Sequence, residues 1–163
     1  MERRQIAMKL AMDHLHLPVQ VRSFEDRLIL QKAVYLAQAT GVHLGYYFRW
    51  YLRGPYCPAV ADDGFGIAME LARKVDDSKG WSLDAQSCRK LAAVRALMGR
   101  FQRPALARKL ELLASVHFLI DRKQVAGSAP EKIAAVLRRF GKAFDAKDVA
   151  GALGELRDHG ILC

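Results

Sequence analysis

The chain has 163 residues, 52% of them hydrophobic, enough to fill the core of one domain spanning 1–163. No stretch approaches the roughly 18 consecutive apolar residues of a membrane span, and the polar start from Met1 to Lys9 leads into no signal-type apolar run, so a cytoplasmic protein is predicted. The formal net charge is +9, and thirteen Lys or Arg between Arg89 and Lys142 meet only Glu111, Asp121 and Glu131, giving that segment +10 while the rest nearly cancels.

In chain order, a first helix is predicted over Ile6 to His16, ending before Pro18. His14 and His16 are two positions apart, so they diverge on a helix and share no metal. Ser23-Phe24-Glu25-Asp26 reads as a capping box, opening a largely buried helix through Leu28, Leu30, Ala33, Val34, Leu36 and Ala37 that stops at Gly41. From Tyr46 to Arg53 the pattern alternates: Tyr46, Phe48, Trp50 and Leu52 on one face, Tyr47, Arg49, Tyr51 and Arg53 on the other. That predicts a strand. Gly54-Pro55 should end it in a turn, with Pro58 in the first turn of a new helix.

The stretch containing Asp62, Asp63, Gly64, Gly66, Asp76, Asp77 and Gly80 reads as soft, with a short strand over Trp81 to Leu83. Asp84 to Gln102 reads as an amphipathic helix that buries Leu91, Val94, Met98 and Phe101 and turns Arg89, Arg100 and Arg103 outward. Pro104 opens a central helix whose arc includes Leu106, Leu110, Leu113, Val116, Leu119 and Ile120. His117 shares that arc and reads as a hydrogen-bonded core histidine. A helical pair over 128–163 closes the chain: Ser128 caps a helix burying Ile133, Val136, Leu137 and Phe140, and Asp145 caps one burying Val149, Leu153 and Leu156. The predicted fold is mainly α with a small β element (α+β): a compact helical domain with a short strand hairpin or small sheet.

The order helix, turn, helix and Gly160-Ile161-Leu162 would suit a helix-turn-helix or winged-helix reader. The second helix, however, sets Lys147 and Arg157 against Asp148, Glu155 and Asp158, and phosphates would be repelled. No GxSxG elbow, GxxxxGK loop or HExxH helix is present. The three cysteines, Cys57, Cys88 and Cys163, are widely spaced and read as free thiols. Catalytic residues, metal and cofactor are all expected to be none. Asp62-Asp63 and Asp76-Asp77 leave a metal-dependent nuclease as the third reading.

Leu30-Gln31-Lys32-Ala33-Val34-Tyr35-Leu36, then Gly41, then Tyr47 to Leu52, then Arg53-Gly54-Pro55-Tyr56-Cys57-Pro58 together resemble the YwgA-type proteins and, more remotely, the Panacea or SocA-like antitoxin domain. Leu110 to Phe118 resembles the same pattern, so the resemblance covers a core of about 6–122. It implies a mixed, mostly helical fold whose members are not known as enzymes. Panacea-type relatives neutralise toxins by contact, and SocA-like ones deliver a toxin to a protease.

Two binding surfaces follow. Arg49, Tyr51, Arg53 and Tyr56 mix the residue types enriched at interface hot spots and would bind a partner protein, such as a toxin or a component of a protease system. The alternative is nucleic acid, with Arg89, Arg100, Arg103, Arg138, Arg139 and Lys142 on phosphates. Oligomeric state is left open by the sequence.

Overall fold

The computed structural model describes residues 1–163. Seven helices and one two-stranded hairpin follow in order: α1 (Arg3–His14), α2 (Phe24–Ala39), β1 (Arg49–Tyr51), β2 (Gly54–Tyr56), α3 (Pro58–Ala72), α4 (Ala85–Met98), α5 (Arg103–Asp121), α6 (Pro130–Arg139) and α7 (Ala146–Asp158). The fold is therefore mainly α with a small β element. No helix is long and apolar enough to cross a membrane.

Helix α2 begins where its cap requires. The Ser23 side chain accepts from the Asp26 N–H and the Asp26 carboxylate accepts from the Ser23 N–H, which satisfies two of the free donors of the first turn. Helix α7 repeats the device with Asp145 and Asp148. Helices α3, α5 and α6 open with a proline in the first turn, where the missing N–H has no intrahelical acceptor. Ala129, not Ser128, is the N-cap of α6, and it supplies no side-chain hydrogen bond.

The molecule is organised around α2 and α5, which pack on each other; α1, α3 and α4 lie on α2, and α7 lies on α5 and carries α6. One hydrophobic core runs from Met8 to Ile161. His117 of α5 is inside it, with its Nδ1 2.8 Å from the Tyr35 hydroxyl.

The strand is shorter than its alternation suggests. Residues 42–48 alternate buried and exposed without a strand partner, Gly45 among them at φ +79°, and only Arg49–Tyr51 pairs, antiparallel with Gly54–Tyr56. The turn is therefore Leu52-Arg53, and Gly54-Pro55 belongs to the second strand. Gly54 takes φ +87°, which suits the left-handed residue after a tight hairpin turn, and a Cβ there would lie 2.3 Å from Ser115 Oγ. Leu52, at the tip, is exposed, and so are Phe101, beyond the end of α4, and Phe140, at the end of α6.

The acidic, glycine-containing stretch 62–66 is not a loop. It lies within α3, where Gly64 lets the helix approach α2: a Cβ at that position would come within 2.6 Å of Leu30 Cδ2 and 3.3 Å of Val21 Cγ1. Close packing explains a glycine that lowers helix propensity. Trp81–Leu83 forms no strand.

Gly64→Ala gains helix propensity of about 1 kcal/mol but drives its Cβ against Leu30 and Val21, at a cost of about 1–3 kcal/mol. The expected outcome is net loss of stability, read as a lower urea midpoint; an unchanged or higher midpoint would show that α3 and α2 are not so closely packed.

Candidate functional site

The hairpin has too few strands to satisfy its own backbone, and α2 completes it. Gln31, Lys32, Tyr35 and Gln38 lie at spacings that place them along one side of the helix. Gln31 donates from Nε2 to the Cys57 carbonyl (2.8 Å) and accepts from the Cys57 N–H (3.0 Å). Gln38 does the same for Tyr46, at 2.8 and 2.9 Å. Each amide thus replaces the missing neighbour strand at one residue. Lys32 Nζ donates to the Pro55 carbonyl at 2.7 Å. The LQK segment that carries the sequence resemblance is thus a clamp on the chain that includes Gly54-Pro55-Tyr56-Cys57.

Lys32 is 1% exposed and has no carboxylate within salt-bridge distance. The nearby Glu111 pairs with buried Lys142 at 2.5 Å and with Arg53 at 3.7 Å. Burial, reinforced by the like charge of Lys142 and opposed by Glu111, pushes the Lys32 ammonium down from its ordinary value to about 7. Two further buried groups near the hairpin, Trp50 Nε1 and Ser115 Oγ, have no hydrogen-bond partner.

Beside the clamp lies an apolar groove of about 450 Å³ between the start of α2, the hairpin and α3. Val21, Phe24, Leu28, Leu30 and Ala61 form much of its wall, with Tyr51, Leu52, Arg53 and Tyr56 from the hairpin and Arg27, Gln31 and Lys32 from α2. Its lining holds three cations and no carboxylate. The Arg53 guanidinium carbon lies 5.7 Å from the Phe24 ring centroid, and the Tyr51 and Tyr56 rings are 5.5 Å apart. Phe24, Tyr51 and Leu52 are all more than half exposed.

Of the four residues predicted for partner binding, Tyr51, Arg53 and Tyr56 therefore come together on this groove. Arg49 is exposed on β1 opposite Tyr56 but does not line it. Sequence reasoning overlooked Phe24, Arg27, Leu52 and Lys32. Phe24 had a signal, a large aromatic in the first turn of a helix, and so did Lys32, a cation in an otherwise apolar face.

Of the six residues predicted for phosphate binding, two are engaged within the fold. Lys142 is buried against Glu111, and Arg103 bridges Asp26 and, at 3.8 Å, Glu25. Arg89 and Arg100 are exposed on α4 and just past its end, and α4 packs on α1, α2 and α5. Arg138 and Arg139 end α6, which packs on α7.

Three of the four carboxylates proposed for a nuclease are engaged elsewhere, and Asp62 is exposed on α3. Asp63 accepts from Arg4 (2.7 Å), Tyr46 (2.8 Å) and Gln5 (3.1 Å). Burial pushes its carboxyl up, and these bonds outweigh that and hold it below the usual carboxylate range. Asp76 accepts from Ser78, and Asp77 pairs with the amino terminus. No group of three or more His, Cys, Asp or Glu is placed to hold a metal ion.

Because the folded-state value of Lys32 lies below its ordinary 10.5, the unfolded chain binds more protons between the two values. Its burial penalty is full below about pH 7 and fades as pH rises, so wild-type stability should climb from about pH 7 to pH 9. In Lys32→Met the climb should be smaller, because over this range Lys142 alone among the other shifted groups acts in the same direction and the amino terminus, raised by its bonds to Asp77 and Glu70, opposes it in both proteins; parallel urea-midpoint profiles for the two proteins would show that Lys32 is not held as an unpaired buried cation.

No family model, curated protein or solved structure matches this chain, so the functional reading rests on these residues and their geometry.

Proposed function

We propose that the protein is a non-enzymatic interaction module of the antitoxin or regulator kind, cytoplasmic, binding a partner protein through the hairpin 49–56 and the groove beside it. The observation that supports this most is the groove itself: exposed Phe24, Tyr51 and Leu52 surround an apolar cleft whose lining charges are all positive. Such a cleft fits a partner segment that inserts an apolar side chain and flanks it with acidic residues. Tyrosine and arginine at its edge supply the large, rigid contacts from which interface energy commonly comes. Val21 also lines a second apolar cleft of about 400 Å³ that reaches Phe65 and Met69, so an extended segment would find further contact along the same side.

The sequence resemblance to YwgA-type and Panacea or SocA-like proteins agrees with this reading, since it implies recognition by contact without turnover. The clamp supports it too. Hydrogen bonds between the Gln31 and Lys32 side chains and the backbone of Cys57 and Pro55 set the hairpin before a partner arrives, which lowers the ordering cost of binding.

The test is capture of partners from the native host on the tagged, nuclease-treated protein, followed by titration of the purified partner. An Arg49→Ala, Arg53→Ala, Tyr56→Ala variant with an unchanged circular dichroism spectrum should weaken that titration by at least about 100-fold, the loss expected from two hot-spot contacts. Leu52→Asp, at an exposed position on the groove rim, should weaken it too, by removing an apolar contact and by repelling acidic flanks of the partner. Recovery of nucleic acid only, or a partner that binds all variants equally, overturns the proposal.

A further inference from the structure

We propose that the groove beside the hairpin binds a free monocarboxylate with an aliphatic tail, its carboxylate meeting Lys32 and Arg53 and its tail lying against Val21, Leu28 and Leu30. This inference stands independently of the partner-protein reading.

The charge arrangement motivates it. Lys32 lines the groove, is 1% exposed, and carries three N–H donors of which one, to the Pro55 carbonyl, has an acceptor. A buried ammonium without a counter-ion is costly and is ordinarily paired. The charged groups facing it are Glu111 of α5, Lys142 of the segment after α6, and Arg53 of the hairpin turn. The one carboxylate among them already serves both other cations. The groove lining adds Arg27, whose guanidinium donates to the Val21 carbonyl at 3.0 Å, and no acid. The site thus lacks one negative charge.

The walls decide which anion. They are largely hydrocarbon, and a phosphate would leave oxygens facing them without donors. A carboxylate has two oxygens for two cations, a single charge, and can carry the apolar tail that such walls stabilise. A cleft of about 450 Å³ is in the size range of small-molecule sites and holds a chain of eight or so carbons.

Protonation supports the same arrangement. With Lys32 near 7 in the empty protein, an arriving carboxylate raises it, so binding above neutrality draws in a proton. Octanoate remains ionised throughout, so its affinity should increase as pH falls from about 8.5 towards 7.

The experiment is calorimetric titration of the full chain with sodium octanoate and, as the uncharged control, octanamide. Octanoate should bind with one-to-one stoichiometry, at least about tenfold tighter than octanamide, and with proton uptake at pH 8 when buffers of different ionisation enthalpy are compared. Lys32→Met should lose the preference and the proton uptake. Should that variant fail to fold, Arg53→Gln at the exposed turn and Ala61→Phe in the groove wall carry the test, each expected to weaken octanoate at least about tenfold. Equal binding of the acid and the amide, or no octanoate binding by the folded wild type, overturns the proposal. Binding only of a short peptide with a free C-terminal leucine would overturn it in favour of a protein C-terminus. Loss of partner capture with octanoate binding intact would remove the interaction reading alone.

Discussion

The structure depends on polar side chains of one buried helix standing in for absent strands. A hairpin of two three-residue strands cannot satisfy its backbone or hold its shape alone. Gln31 and Gln38 each bind both backbone groups of one residue, at Cys57 and Tyr46, and Lys32 takes the Pro55 carbonyl between them. Pro55 has no N–H to satisfy, which makes it suitable at this point of β2. The hairpin, the chain before it and the start of α3 are thereby fixed to α2, and α2 to the core through Leu30, Val34 and Leu36.

This solution places a cation where hydrocarbon would otherwise be. Removing Lys32 from water disfavours its charged form, and the single neighbouring carboxylate, Glu111, is already paired with Lys142 and Arg53. The result is an interior biased towards positive charge directly beneath an apolar cleft. Lys32, which helps shape the hairpin, therefore also sets the electrostatics of the groove.

Much of the architecture was legible from sequence because it depends on local chemistry. The Ser23–Asp26 and Asp145–Asp148 boxes, the prolines at 58, 104 and 130, and the 3.6-residue apolar period of α2 and α5 act within one or two turns of chain. The failures also have a common cause. Gly64 looks like a breaker until α2 is brought against α3, Gly66 until Gln5 of α1 is, and Tyr46–Arg53 alternates like a full strand because burial on one side alone produces the pattern, with or without a pairing neighbour. Likewise Phe101, Leu52 and Phe140 match the apolar period but fall at ends and tips, where no second layer covers them.

By itself the sequence determined a mainly helical chain with one aromatic, alternating segment, and it singled out Arg49, Tyr51, Arg53 and Tyr56, since periodicity and residue type are properties of the chain. Only the tertiary structure decided which charges are available. Lys142 and Arg103 belong to the basic segment by position, yet Glu111 and Asp26, distant in sequence, neutralise them. Lys32 was one cation among 26 in the sequence and became the unpaired one in the interior. Net charge sums over the chain, whereas an ion pair depends on separations of a few ångströms that folding alone creates.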